Sequence, residues 1–292
     1  MNRMSIPYRI FQGLNYAFLA LLSALCVLPL VHVLALSFSG RAAASANIVT
    51  LWPIGFTLEA YEKTLGNPNF STALLVSLER TVLGTAVSMA VVFLAAYALS
   101  KEESAFKGRS LYAWFFVFTM LFNGGLVPWY ITIQKLHLMN TMWALVLPNA
   151  LNVFNLVLMM NFFRTVPKDL EEAALIDGAN HFTTLFRIYL PLSMPSIVTI
   201  SLFTMVFHWN SWFDGMLLIT DYRQYPLATF LQTIIVQQDF SKVAVDPAAL
   251  ANIAERTVKA AQIFIGALPI LLVYPLLQRY FVKGIVLGAV KE

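Results

Sequence analysis

The chain has 292 residues, 59% of them apolar and only 12% charged, with a formal net charge of +4 and a mean hydropathy of +0.72. Ordinary soluble domains carry about 25% charged residues, so the polar covering of a water-soluble globule is missing and the chain calls for lipid. The 19 Lys and Arg are scattered among 15 Asp and Glu, which excludes a nucleic-acid face, and the single cysteine, Cys26, forms no intrachain disulfide.

Six apolar stretches follow one another: Phe11–Phe38, Leu74–Leu99, Leu111–Trp129, Met142–Phe163, Leu190–Ile219 and Ala261–Phe281. A helix crosses the hydrocarbon in about 20 residues at about 1.5 Å each, and all six can reach. The third is short and interrupted by Asn123-Gly124-Gly125. The first follows Arg3 and Arg9 as a signal peptide would. It is too long for one, lacks a small-residue cleavage pattern and precedes five more spans, so it reads as a retained helix. With both termini in the cytoplasm, the inside segments hold Arg3, Arg9, Lys101, Lys107, Arg109, Arg164, Lys168, Arg187, Arg279, Lys283 and Lys291. The outside segments then hold Arg41, Lys63, Arg80, Lys135, Arg223, Lys242, Arg256 and Lys259, eight against eleven, which favours that orientation. The expectation is an all-α integral membrane protein of six transmembrane helices.

The external loop 39–70 is punctuated by Pro53, Gly55, Gly66 and Pro68, and its Thr57-Leu58-Glu59-Ala60-Tyr61 run predicts a short surface helix. Beside Glu79, at the outer start of the second span, Arg80 is placed to snorkel to water. It is a candidate contact for an anionic cargo, against the plainer readings of local pairing or a lipid headgroup. In the fourth span Asn149, Asn152 and Asn155 recur every third residue, near one helix face, with Asn152 close to the midplane. Buried amides without partners cost a few kcal/mol, so these side chains need either neighbouring helices or a wet path, where they would meet sugar hydroxyls.

The internal connection 165–191 is richer than a connector requires. Pro167 opens a helix, Asp169, Glu171 and Glu172 load its first turns, and Gly178 ends it. A second amphipathic piece, Phe182 to Tyr189, closes on Leu190-Pro191, giving a cytoplasmic helix-turn-helix with the look of a docking element. The fifth span ends in His208-Trp209-Asn210-Ser211-Trp212-Phe213-Asp214, with Asn210 about 28 Å along the axis from Pro191. Four apart, Asn210 and Asp214 share a helix face and could line an outer gate or form an ordinary interfacial end. His208 has no second ligand at metal-binding spacing. A second long external loop spans 220–260. No Gly-x-x-x-x-Gly-Lys phosphate loop occurs, and no acid pair, metal cluster or activated nucleophile is assembled, so the chain is expected to hold no catalytic site, metal or cofactor.

Glu172-Ala173-Ala174, three residues, Gly178, nine residues and Ile188-Tyr189-Leu190-Pro191 resemble the "EAA" loop of binding-protein-dependent ABC importer permeases. The resemblance runs from about Phe70 to Lys291 and takes in Asn123-Gly124-Gly125-Leu126-Val127-Pro128, Trp209-Asn210-Ser211-Trp212, Glu255-Arg256-Thr257 with Lys259-Ala260-Ala261-Gln262, and Tyr280-Phe281-Val282-Lys283-Gly284. These features are similar to carbohydrate permeases of the maltose-permease second-subunit type, closest to the branch that imports polysaccharide fragments such as alginate. The resemblance implies a type I ABC importer permease fold in a bacterial inner membrane. Residues 1–69 would be an N-terminal helix and external loop, and 70–292 the transmembrane core with its coupling loop at 165–191. It implies a paired permease subunit, usually in a heterodimer, two ATPase subunits that hold ATP and Mg, and an extracytoplasmic solute-binding protein. Glu171, Glu172 and Asp177 would face the ATPase, Ala173 and Ala174 would permit its close approach, Gly178 would turn the chain and Pro191 would end the element. Alternatives are a permease for a small neutral sugar and, less favoured for want of repeats and further spans, a secondary transporter.

Overall fold

The computed structural model describes residues 6–236 and 256–289, the last fourteen of these as backbone alone. Arg3, Lys242, Glu255 and Lys291 therefore lie outside the described residues, as do the side chains of the Tyr280 to Gly284 motif. Every regular element among the described residues is helical: α1 (Ile6–Ser37), α2 (Arg41–Ser45), α3 (Glu59–Leu65), α4 (Pro68–Ser100), α5 (Arg109–Leu121), α6 (Leu126–Lys135), α7 (Met142–Val146), α8 (Val153–Arg164), α9 (Lys168–Ile176), α10 (His181–Thr184), α11 (Leu190–Leu192), α12 (Met194–Asn210), α13 (Phe213–Leu218), α14 (Leu227–Leu231) and α15 (Arg256–Ala289).

Among the described residues three helices are long and apolar enough to cross a membrane unbroken, within Pro7–Ser37, Pro68–Ser100 and Arg256–Pro275. Three further pairs of helices are long and apolar enough only when taken together, each a broken span or a re-entrant turn: α5 and α6 meet at 115°, the α7 segment and α8 at 52°, and the α10–α11 segment and α12 at 87°. The six apolar stretches are thus present, but the fourth and fifth are not the continuous helices that hydropathy suggests. Each break has a local cause. Gly125 adopts φ +91°, in the left-handed half of conformational space, and its amide donates to Asn123 Oδ1 at 2.8 Å. Such a turn costs glycine little. At the second break a 3-10 turn over Leu147–Asn149 gives way to Asn152, whose side chain accepts from the Asn155 amide at 3.2 Å and so starts α8 afresh. At the third, Ser193 leaves helical geometry just ahead of Pro195, which sits in the first turn of α12.

The chain divides into two compact units. One comprises Met1–Ser71 with Thr233–Leu268. In it α1 carries Leu14, Phe18 and Leu21 more than half exposed, as suits a helix apolar all round and solvated by lipid. The predicted surface helix is α3; Thr57 Oγ1 accepts from the Glu59 amide at 3.2 Å and Lys63 pairs with Glu59 at 2.6 Å. Tyr61 stacks on Phe38 at 4.8 Å and hydrogen bonds Ser37 at 2.7 Å. Arg256 Nη1 donates to the Ala44 carbonyl at 3.2 Å and to Asn47 Oδ1, which ties the start of α15 to the end of α2.

The other unit comprises Thr72–Gln232 and Pro269–Glu292. Its core is aliphatic and aromatic: Val92, Ala96, Leu156, Met159, Phe163, Leu185 and Ile200 are buried together where α4, α8 and α12 meet. Gly84 lets α12 come close, since a Cβ there would lie 2.6 Å from the His208 ring. Gly215 packs as tightly against α14, where a Cβ would fall 2.1 Å from Thr229 Oγ1. Gly215→Ala is therefore expected to lower the stability of the purified protein by about 1–3 kcal/mol, the usual cost of overpacking, read as a lower melting temperature in detergent; an unchanged melting temperature would show that α14 moves aside freely.

Candidate functional site

The connection 165–191 folds as two short pieces around a glycine turn. Pro167 is extended and precedes α9, whose first turn carries Asp169 and Glu171 where the helix dipole favours acids. Gly178 adopts φ +82°, and the Ala179 amide donates back to the Ala174 carbonyl at 2.9 Å, closing the helix end. Asn180 then caps α10, its side chain accepting from the Thr183 amide at 2.8 Å. Leu185–Tyr189 continues as a wider turn with i to i+5 bonding, and α11 ends the element, with Pro191 exposed.

Within this hairpin the seven residues picked from the motif part company. Glu172, Ala173, Asp177 and Gly178 are exposed and Ala174 is half-buried. Beside them Leu170 and Leu175 are exposed, and Ile176 is 87% exposed. Ile176 is an apolar residue between Leu175 and Asp177, visible in the sequence though the motif does not single it out. Glu171 does not face outward as the resemblance implied. Its carboxylate accepts from Lys101 Nζ at 2.5 Å and from Tyr189 Oη at 2.5 Å, with 15% of its side chain exposed and 11% of Lys101. Burial alone would raise the Glu171 pKa, but these two hydrogen bonds and the Lys101 charge outweigh it and hold the carboxyl below its usual value.

The intramembrane candidates converge on a second place. Arg80 is fully buried, so it does not snorkel to water. Its Nη1 donates to the Ser211 carbonyl at 2.9 Å and to Asp214 Oδ1 at 3.2 Å, while Nη2 donates to Asp214 Oδ2. Ser211 Oγ at 2.9 Å, the Gly215 amide at 2.9 Å and Asn149 Nδ2 at 3.3 Å complete the donors around Asp214. A low-dielectric site tolerates a carboxylate when donors satisfy it in this way. Asn210 and Asp214 are not on one helix face: α12 ends at Asn210, Ser211 is extended, and α13 begins at Phe213, leaving Asn210 exposed and Asp214 buried.

Nor do the three asparagines lie on one continuous helix, yet they do share a cavity. It holds about 350 Å³ and is lined by Ser88, Asn149, Asn152, Asn155, Phe203, Thr204 and Phe207 among others. Asn155 is buried and donates to Thr204 Oγ1 at 3.2 Å, a bond between helices. Asn152 caps α8 with its oxygen and is itself exposed to the cavity. Asn149 also lines a shallower pocket of about 340 Å³ with Asn123, Trp129, Ser211 and Asp214. It thereby stands between the polar cluster and the cavity. Asn123 and Ser211 were not picked as site residues from the sequence; Asn123 bonds the Gly125 amide two positions on, and Ser211 joins Asp214 to Arg80, which lies 131 positions away. Among the described residues no three His, Cys, Asp or Glu side chains are placed to hold a metal ion.

Residues 104–287 match the model of the family described as binding-protein-dependent transport system inner membrane component. The polygalacturonan/rhamnogalacturonan transport system permease protein YtcP of Bacillus subtilis is 40% identical over 97% of this chain and 99% of its own. The trehalose/maltose transport system permease protein MalG of Thermococcus litoralis is 30% identical over 93% and 94%. Among solved structures, a chain of a bacterial ABC transporter involved in the import of the acidic polysaccharide alginate superposes with a TM-score of 0.87 at 31% identity, covering 96% of this chain and all of that one.

Proposed function

The chain belongs to the family of binding-protein-dependent transport system inner membrane components, and on that premise we propose that it is the permease subunit through which oligosaccharides or polysaccharide fragments, acidic ones included, enter a bacterial cell. It is a multi-pass, non-catalytic subunit of an ABC importer. In this reading it pairs with a second, different permease chain. Two ATPase subunits hold the ATP and Mg, a solute-binding protein delivers the sugar outside, and both termini face the cytoplasm.

The observation that carries the coupling role is the exposed face of α9, where Glu172, Ala173, Ile176 and Asp177 stand uncovered beside the glycine turn. Closure of the ATPases on ATP would push this face, and the helix would deliver the movement to the bundle. The sugar would pass along the cavity holding Asn149 and Asn152. Amide side chains exchange hydrogen bonds with hydroxyls at little net cost, and Phe203 and Phe207 offer apolar walls for the faces of sugar rings. A second reading, a small neutral sugar as cargo, is favoured by a cavity lining that among the described residues holds no Lys or Arg.

Vesicles containing the complete complex, purified by a tag on this chain, should take up oligogalacturonate when its binding protein and ATP are both supplied, and not with ATP alone. Uptake of maltose or trehalose but not of oligogalacturonate would favour the second reading, and uptake without ATP would overturn both.

A further inference from the structure

The two adjacent acids of the coupling helix, about 100° apart around its axis, differ in burial, and the less exposed one, Glu171, sits at a junction. Glu171 on α9 accepts from Lys101, the residue directly after α4, and from Tyr189, which lies between α10 and α11. Lys101 also donates to Tyr189 Oη at 3.1 Å and its ammonium rests over the rings of Tyr97, at 3.8 Å, and Tyr189, at 4.3 Å. The Tyr97 hydroxyl in turn meets His181 Nδ1 at 3.2 Å. One ion pair and three aromatic side chains, Tyr97, His181 and Tyr189, thus fasten three segments that are 70 and 88 positions apart in the chain. The lining of this junction is continuous with an open cytoplasmic-side cavity that also holds Glu172.

From Lys101, α4 runs without a break back to Arg80, about 30 Å along its axis at about 1.5 Å per residue. At that far end Arg80 grips Asp214 and the Ser211 carbonyl, at the break between α12 and α13. A movement of α9 can reach the pore-side cluster only through packed elements that move with it.

We infer that Glu171 is a positioning residue that clamps the coupling helix to α4 through Lys101 and Tyr189, so that the ATPase stroke enters the bundle along α4 and reaches the Arg80–Asp214 cluster. The inference rests on the permease reading. Glu172, one residue on, meets the partner's surface; Glu171 never does. Its contribution is to make α9, the end of α4 and the Tyr189 turn move as one body. A loose α9 would still bind the ATPase but would tilt under the stroke instead of transmitting it.

The test uses the complete complex in vesicles, with oligogalacturonate-loaded binding protein, and reads the sugar moved per ATP hydrolysed alongside assembly by co-purification. Glu171→Gln and Lys101→Met should each co-purify with the ATPases and keep basal hydrolysis, while sugar per ATP falls on the order of tenfold, as expected for the loss of a charge-assisted bond from a transmitting contact. The exchange Glu171→Lys with Lys101→Glu should recover most of the ratio, which a general structural defect would not do. An unchanged ratio in Glu171→Gln, or loss of ATPase binding in that variant, would overturn the clamp while leaving wild-type uptake, and so the permease reading, intact. Wild-type vesicles that move no sugar with ATP would instead strike at the permease reading itself.

Discussion

Ala173→Trp is expected to abolish productive coupling while leaving the subunit folded and inserted. Ala173 is exposed on α9 between Glu172 and the half-buried Ala174, so an indole there meets none of this chain's core. It would, however, stand in the way of any surface that packs on the helix at the close interaxial spacing small residues allow. Overpacking a contact costs about 1–3 kcal/mol, a factor of about 5–150 in an equilibrium. The expected result is normal membrane insertion and yield, weakened capture of the ATPase subunits, and at least about a tenfold loss of ATP-dependent sugar uptake. Normal uptake by the tryptophan variant would show that nothing docks on this face.

The second large effect belongs to the buried ion pair. Arg80→Met alone takes the cationic partner from the Asp214 carboxylate, in a place where its remaining donors are Ser211, Asn149 and the Gly215 amide. Breaking a buried pair on one side costs about 3–5 kcal/mol, whereas replacing both partners with apolar residues is often near neutral. Arg80→Met should therefore sharply reduce the melting temperature of the detergent-purified complex, and Arg80→Met combined with Asp214→Leu should recover a good part of it. A single variant as stable as wild type would mean that the pair is not closed in the membrane. The combined variant also separates stability from transport. If it is stable yet takes up little sugar, the pair acts in the transport cycle, as a junction between α4 and the α12–α13 break would.

How far the sequence reached depended on whether the deciding interaction was local. The six apolar stretches are legible because crossing hydrocarbon needs length and hydropathy, which any window of residues displays. The hairpin at 165–191 was legible for a similar reason: Pro167, the acids behind it and Gly178 each act within a turn of where they stand. The breaks in the fourth and fifth stretches were not, because Asn152 and Ser193 interrupt apolar runs without lowering their hydropathy enough to end them, and an asparagine that caps a helix is indistinguishable in a list from one that faces a pore. Arg80 misled most. Its neighbour Glu79 and its place near a span end suggested a side chain reaching for water, while its partner Asp214 lies 134 positions away. Asn210 and Asp214 shared a face only on the assumption of an unbroken helix, which the extended Ser211 removes. Glu171 and Glu172 are chemically identical, and what separates them is the phase of α9 relative to Lys101, a fact of packing that no spacing rule contains.

The candidate sugar path shows the same division. Asn149, Asn152 and Asn155 do come to one cavity, but by way of a bend rather than along a helix face, and Asn155 is committed to Thr204. That leaves Asn149 and Asn152 as the amides free to meet a cargo, with Asn149 also tied to Asp214.

The most direct measurement of the central claim, that this chain couples ATP hydrolysis on its partners to saccharide delivery, is the ATPase rate of the reconstituted complex with its solute-binding protein added empty, loaded with oligogalacturonate, or loaded with a neutral oligosaccharide. The prediction is a clear rise in hydrolysis with loaded binding protein over empty, abolished by Ala173→Trp. A rate indifferent to the loaded protein, or one that the tryptophan variant follows unchanged, would contradict it.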